Sequence, residues 1–468
     1  MTAPPQARPR PCSSPSSGSP PDRSSWSRPR ASLDAASNTT DAETTCEAGV
    51  PAAPRERRGV PRDVAIVRRT RVSTPDPQAD PQTRPPTATG PLAGLRILEL
   101  AGIGPGPFAA MVLADAGAEV IRIDRPGEPR PGANSDPLLR SRRSIAIDLK
   151  APGAAELVAR LATRADALIE GFRPGVAERL GVGPRDLHPA NPALVYGRIT
   201  GWGQTGPRAS RAGHDLDYIA LAGALHPIGP PDHPPPPPLN YVGDFGGGGF
   251  LLAFGVLAAI LRARASGEGE VVDAAMIDGA AAQTAMLHGM RAAGLWSDQR
   301  EANLLDGAAP FYRTYETADG EYIAVGALEP PFYAELLEAL DLDPERWPQH
   351  DLAHWPGQRR ELAEIFGSRT RAHWEAVFAD RDACVAPVLA PGEAPEHPHH
   401  RERRTFVDVG GVTQPAPAPR FAGAGEAIPV PPKVPGADTF EVLADAGLGT
   451  VELTRLHHAG VVWTPDEG

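Results

Sequence analysis

Cysteine is scarce in this chain of 468 residues. There are three, Cys12, Cys46 and Cys384, and their spacing matches neither a disulfide framework nor a zinc site. That sets the expectation of a reducing, cytoplasmic setting. Cys384, in the apolar run Ala-Cys-Val-Ala-Pro-Val, reads as an inert core thiol. Long hydrophobic runs are missing too. The strongest, Phe250–Leu261, is too short to span a bilayer and suits a buried helix, and no apolar signal-peptide core opens the chain. Positive charge is in deficit, with a net charge of −12. Bulk electrostatics therefore argue against nucleic-acid and membrane-surface partners, and an anionic ligand must be held by a local basic patch. His397, His399 and His400 sit in a Pro- and Arg-rich loop without an ordered set of carboxylates or thiolates, so no metal is expected there.

Residues 1–90 differ in kind from the rest. They hold 16 prolines, one aromatic (Trp26), 13 Arg and 9 Asp or Glu. Such a segment cannot bury enough apolar surface to offset its ordering entropy. The expectation is a disordered Pro/Ser/Arg-rich extension, and its prolines break any basic amphipathic targeting helix.

At Leu95 the texture changes. Leu95–Leu100 is a strand-like run, Gly102–Pro107 a turn, Phe108–Ala116 a helical stretch and Ala118–Asp124 a second strand. Strand, helix, strand is a βαβ unit and predicts a parallel sheet with right-handed crossovers. The pattern continues with strands at Arg143–Leu149, Ala167–Glu170 and Leu194–Ile199, and helices at Ala151–Arg164 and from Gly175. The fold class expected over 91–300 is an open, Rossmann-like parallel α/β sheet. Over 305–400 the pattern predicts a smaller α+β domain. Phe311–Thr317 and Glu321–Val325 flank Asp319-Gly320, a hairpin signal, and helices follow around Pro331–Ala339 and Arg360–Phe366. Residues 401–468 are expected to return to the large domain through two short helices, Thr439–Leu448 and Val451–His458.

The run Gly102-Ile-Gly-Pro-Gly-Pro107, with Asp124 ending the next strand, imitates a dinucleotide fingerprint. The imitation fails chemically. That loop works by aiming backbone N–H groups at a pyrophosphate, and Pro105 and Pro107 have none. A tight strand-to-helix turn with proline early in the helix is the better reading.

A family resemblance becomes visible across several of these segments. Residues 91–127, Arg140–Lys150 and Gly201-Trp-Gly-Gln-Thr-Gly206 resemble the opening, the next coenzyme A-contacting segment and a later motif of the family III CoA-transferases, and the resemblance covers about 91–460. Gly213-His-Asp-Leu-Asp-Tyr218, Val242-Gly-Asp-Phe-Gly-Gly-Gly248, Leu305–Tyr312 and Gly326–Tyr333 resemble the marks of its α-methylacyl-CoA racemase branch. The resemblance implies that His214 and Asp244 are catalytic bases and that Glu329 supports the histidine. It implies coenzyme A contacts at Arg125, Ile147, Asp148, Leu149, Lys150, Gly213 and Tyr218. It also implies an interlocked homodimer whose active site is shared between chains, and no cofactor beyond the coenzyme A part of an acyl-CoA substrate.

The residue types suit that chemistry. Inverting a carbon next to a thioester carbonyl takes a proton from one face and returns one to the other, which two opposed bases do directly. Imidazole suits proton work near neutral pH, and an acid such as Asp215 or Glu329 would orient its ring and stabilise its charged form. Asp244 must hold a proton for part of the cycle. Burial against Phe245 would raise its pKa, whereas service as an N-cap would stabilise its charge; the residues leave both open. The glycines Gly246–Gly249 allow close backbone approach, and the N–H groups at this helix start are candidates for holding the enolate oxygen. Arg122, Arg125, Arg130, Arg140, Arg142, Arg143 and Lys150 stand out in an acidic chain as partners for phosphates. Met276, Met286 and Met290 are candidates for the apolar acyl pocket. Two other readings remain. A family CoA-transferase would use Asp244 as an acyl-accepting nucleophile, and an acyl-CoA-binding protein would have kept the fold and lost turnover.

Overall fold

A computed structural model describes residues 90–127, 132–423 and 428–465; the expectation for residues 1–89 and the candidate cation Arg130 lie outside them. The elements run β1 (Arg96–Leu100), α1 (Pro105–Asp115), β2 (Glu119–Asp124), β3 (Arg143–Ile147), α2 (Ala154–Ala162), β4 (Ala167–Glu170), α3 (Val176–Arg179), α4 (Pro184–Leu187), β5 (Val195–Thr200) and α5 (Asp215–Leu221). A π-helix (Tyr241–Phe250) runs directly into α6 (Leu251–Ser266), followed by β6 (Val271–Ala275), α7 (Met276–Gln283) and α8 (Ala285–Ala292). Then come β7 (Tyr312–Glu316), β8 (Tyr322–Gly326), α9 (Pro330–Ala339), α10 (Trp355–Gly367), α11 (Arg371–Phe378), β9 (Val385–Pro387), α12 (Pro398–Arg403), β10 (Phe406–Val409), β11 (Val412–Pro415), α13 (Thr439–Asp445), α14 (Thr450–His458) and β12 (Val462–Trp463).

Seven strands form one sheet in the order β12-β3-β2-β1-β4-β5-β6. All neighbouring pairs are parallel except β12–β3, where Val462 opposes Ile147 and Trp463 opposes Ala146 in antiparallel register. The sheet is therefore mixed at one edge. The sequence pattern misses β12, which has two residues, and β6, whose Val271 and Asp273 are exposed. The inner strands are apolar on both faces because helices cover both. Leu98, Leu100, Ile121, Ile123 and Ile145 pack with α2, α13 and α14. Ile97, Val120, Ile169, Val195 and Ile199 pack with α1 and α6.

The expected hairpin forms as β7–β8 with Tyr312 opposite Gly326, and β9 adds a third antiparallel strand. Its core is aromatic: Phe311, Tyr315, Trp355, Phe366 and Trp374 pack together. The helix expected to begin after Asp244 starts earlier, so that Tyr241–Ser266 is one rod of 26 residues. By length and composition it is long enough, and over an 18-residue window apolar enough, to cross a bilayer, unlike the shorter run visible in the sequence. Leu252, Ala253, Val256, Ala259, Ile260 and Ala263 face the sheet and are buried. Phe250, Phe254 and Leu261 lie on the other side and are 52%, 71% and 71% exposed.

Candidate active site

The strand order reverses between β1 and β4, and in open α/β sheets ligands bind outside the carboxyl ends of the strands at that reversal. Three chain segments leave the sheet there: Gly102–Pro107 after β1, Gly171–Pro174 after β4 and Gly201–Gly206 after β5. The first two meet on one side chain of β5. A Cβ on Gly106 would lie 3.7 Å from Ile199 Cγ2, and one on Gly171 would lie 3.5 Å from the same atom.

His214 stands at the start of α5. Its backbone is extended (φ −135°, ψ 172°), and the Asp217 carboxylate three residues on accepts its N–H at 3.0 Å. That interaction ends the preceding loop and sets the first turn of the helix. The His214 side chain is exposed. One turn on, Tyr218 is buried, packing edge-on against Trp202 with ring centroids 4.8 Å apart. Gly201 makes room for it, since a Cβ there would lie 2.1 Å from the Tyr218 ring. Burial, aided by the carboxylates of Asp244, Asp217 and Asp215, pushes the Tyr218 hydroxyl up to about 12.

Asp244 lies in the first turn of the π-helix. π-Helical turns are rare and cluster at functional sites, and here the glycines explain how one is accommodated. A Cβ on Gly247 would lie 2.7 Å from the Ala280 nitrogen, one on Gly248 2.8 Å from Met276 Cγ, and one on Gly249 2.6 Å from the Phe108 ring. The wide helix is thus wedged between α1 and α7 at backbone distance. Asn240, not Asp244, is the N-cap, so the capping alternative for Asp244 is overturned. Its carboxyl is half-buried and held above the ordinary carboxylate range. Burial is the main cause and Asp215 adds to it, while the Asn240 amide (3.4 Å) and the charge of His214 oppose it. The fold therefore brings His214 and Asp244 into electrostatic reach of one another, beside the β1–α1 turn. A Cβ on Gly104 would come within 3.5 Å of Asp244 Oδ2.

The expectations for Asp215, for the glycine N–H groups and for Cys384 are corrected. Asp215 does not serve the imidazole. Its Oδ2 accepts the N–H groups of Gly243 and Asp244, each at 2.6 Å. The N–H groups of Gly246–Gly249 are not free for an enolate either, because a π-helix spends them on carbonyls five residues back, as the Phe245-to-Asn240 bond shows at the helix start. Glu329 is the N-cap residue of α9 and is exposed. Its neighbour is Cys384, whose thiol is raised by partial desolvation, Asp382 and Glu329; within a single chain, no hydrogen bond or ion pair joins Glu329 to His214 among the described residues. Cys384 is exposed, not in the core. Met276 packs on the glycines, while Met286 is exposed.

The cation cluster separates into two groups. Arg140 is buried and bonded to Asp115 (2.5 Å), Gln414 and the Pro415 carbonyl. Arg142 is buried beside Glu99 (3.3 Å) and donates to the Pro107 carbonyl. Arg143 is held by Glu119, Glu441 and Asp445, and Arg122 by Asp124. These four hold the fold together. Arg125 and Lys150 are exposed at the ends of β2 and β3 and make no ion pair among the described residues. Ile147 is buried in the sheet, so its side chain is unavailable to a ligand; Leu149 packs on the core, and Asp148 accepts the Lys150 N–H at 3.0 Å. Gly213 is tightly fitted, since a Cβ there would lie 2.7 Å from Tyr218. Asn240 and Gly104, both beside Asp244, escape the sequence reading. The spacing of four between Asn240 and Asp244 was the only available signal for the former.

Comparison with known proteins places the chain in a family. The model of CoA-transferase family III matches residues 92–439. The α-methylacyl-CoA racemase of Mus musculus is 44% identical over 375 residues, covering 79% of this chain and 97% of that protein. That of Homo sapiens is 41% identical over 379 residues, with the same coverage. Among solved structures, a CAIB/BAIF family protein from Brucella suis superposes with a TM-score of 0.65 at 25% identity, over 76% of this chain and all of that one.

Proposed function

The chain belongs to CoA-transferase family III, and we propose that it is a racemase that inverts the α-carbon of 2-methylacyl-CoA thioesters. The observation that carries this reading is the convergence of His214 and Asp244 at the sheet's switch point, with the Asp244 carboxyl raised above its ordinary range. One of the two takes the α-proton. The electron pair of the broken C–H bond moves onto the thioester oxygen as an enolate, and the other group returns a proton to the opposite face. A carboxyl with a raised pKa suits this exchange because it must both accept and release a proton near neutral pH. Among the described residues of the cation cluster, Arg125 and Lys150 are left for the coenzyme A phosphates.

Homodimerisation belongs to the same proposal. The exposed row Phe250, Phe254 and Leu261 on one helix face is a surface that a second copy would cover. It would also allow Glu329 of one chain to reach the histidine of the other.

Deuterium wash-in at the α-carbon in D2O, with no acceptor acid present, tests the activity. Exchange with inversion is expected, and it should be lost in both His214→Ala and Asp244→Ala. Strict dependence on a free carboxylic acid would replace the racemase with a CoA-transferase, and tight acyl-CoA binding without exchange would leave a binding protein.

A further inference from the structure

We propose that Asp215 is a positioning residue whose carboxylate fastens the backbone that carries Asp244 to the helix that carries His214, and so sets the spacing of the two proton carriers. The proposal rests on the two-base reading and adds a residue to it.

Asp215 directly follows His214 and opens α5. It is 5% exposed. Its Oδ2 accepts the N–H groups of Gly243 and Asp244 at 2.6 Å each. These donors belong to the first turn of the π-helix, where backbone N–H groups have no partner within the helix. One buried oxygen therefore satisfies two of them from a different element, and its charge sits at the favourable end of the helix dipole. The approach is possible because residue 243 is glycine. A Cβ there would lie 2.8 Å from Oδ2 and 3.0 Å from the carboxyl carbon of Asp215. The second oxygen, Oδ1, is buried with no hydrogen-bond partner. Leaving such a group unpaired is costly, which implies that the position is kept for what Oδ2 does. Asp215 and His214 share one helix turn, so any movement of the Asp215 carboxylate shifts Asp244 relative to the imidazole. Displacements of about 1 Å between reacting groups cost on the order of 100-fold in rate.

The test separates the clamp from the charge. Asp215→Asn leaves one oxygen for both donors and removes the charge. Asp215→Ala removes the acceptor, and Gly243→Ala pushes the carboxylate away. Steady-state racemisation should show kcat reduced about 100-fold in Asp215→Ala and in Gly243→Ala, with KM within about threefold of wild type. Asp215→Asn should keep kcat within about tenfold. If Asp215→Ala does not fold, the contrast between Asp215→Asn and Gly243→Ala decides. Wild-type kcat in Asp215→Ala or Gly243→Ala, or loss in Asp215→Asn equal to theirs, overturns the proposal. His214→Ala and Asp244→Ala are measured alongside. Wild-type turnover in either refutes the two-base reading itself, whereas their inactivity beside a fully active Asp215→Ala refutes only the positioning role.

Discussion

Phe108 of α1 stacks on Phe245, the residue after Asp244, with ring centroids 4.6 Å apart and planes inclined by 16°. The same Phe108 ring meets Phe250 edge-on at 4.9 Å. This aromatic triple joins the helix that follows β1 to the middle and the last residue of the π-helix. Phe108→Ala removes both contacts and is expected to cost about 2–3 kcal/mol of stability and to lower racemisation, while Phe108→Leu should lose less of both. Urea unfolding together with α-proton exchange checks this; equal losses in the two variants would assign the effect to ring stacking rather than to volume.

Gly104 has φ +70° and ψ −118° just before α1, a conformation that side chains rarely adopt. Its missing Cβ leaves open the space 3.5 Å from Asp244 Oδ2. Gly104→Ala should destabilise the protein by about 1–3 kcal/mol and raise KM for acyl-CoA as the methyl group enters that space. Unchanged kinetics in a destabilised variant would confine Gly104 to the backbone.

The two kinds of arginine should behave differently on mutation. Arg140→Ala and Arg142→Ala each strand a buried carboxylate, Asp115 or Glu99, and should cost roughly 3–5 kcal/mol. Arg125→Ala and Lys150→Ala should leave the melting temperature within a few degrees. They should raise KM for acyl-CoA about fivefold to tenfold, and the loss should shrink as added salt screens the wild-type attraction. A KM insensitive to both exposed substitutions would move the phosphate site elsewhere.

Burial pushes the carboxyl of Glu170, at the carboxyl end of β4, up to about 7, against the pull of the Phe172 N–H (2.5 Å) and Arg198. A carboxyl whose folded pKa lies above its unfolded value binds its proton more tightly in the folded state. Stability from this group is therefore greatest at low pH and falls as the pH rises from the unfolded value near 4.5 through about 7. The loss amounts to at most about 3 kcal/mol. Asp244 acts in the same direction. Urea unfolding at pH 5 and pH 8 should show a smaller difference in Glu170→Gln than in wild type; an equal difference would exclude Glu170 as its source.

The local signals in the chain determined a good deal. Leu95–Leu100, Gly102–Pro107 and Ala118–Asp124 encode a βαβ unit through nearest-neighbour preferences alone, and β1, α1 and β2 form there. Asp319-Gly320 determines its hairpin in the same way, because a turn and two short strands involve no distant partner. His214 and Asp244 were legible as candidates because each sits in a motif of contiguous residues. What tertiary structure decided involves partners far apart in sequence. The pairing of Val462 with Ile147 turns a two-residue fragment into an edge strand. The assignment of Arg140 and Arg142 to buried carboxylates, leaving Arg125 and Lys150 exposed, depends on which acid each meets across the fold. The turning of Asp215 away from the imidazole and onto the backbone of Gly243 and Asp244 follows from the packing of a π-helix against α5. Charge and residue type along a chain name the candidates for a task; only the desolvation and geometry of the folded interior decide which of them is committed to holding the structure and which is free for chemistry.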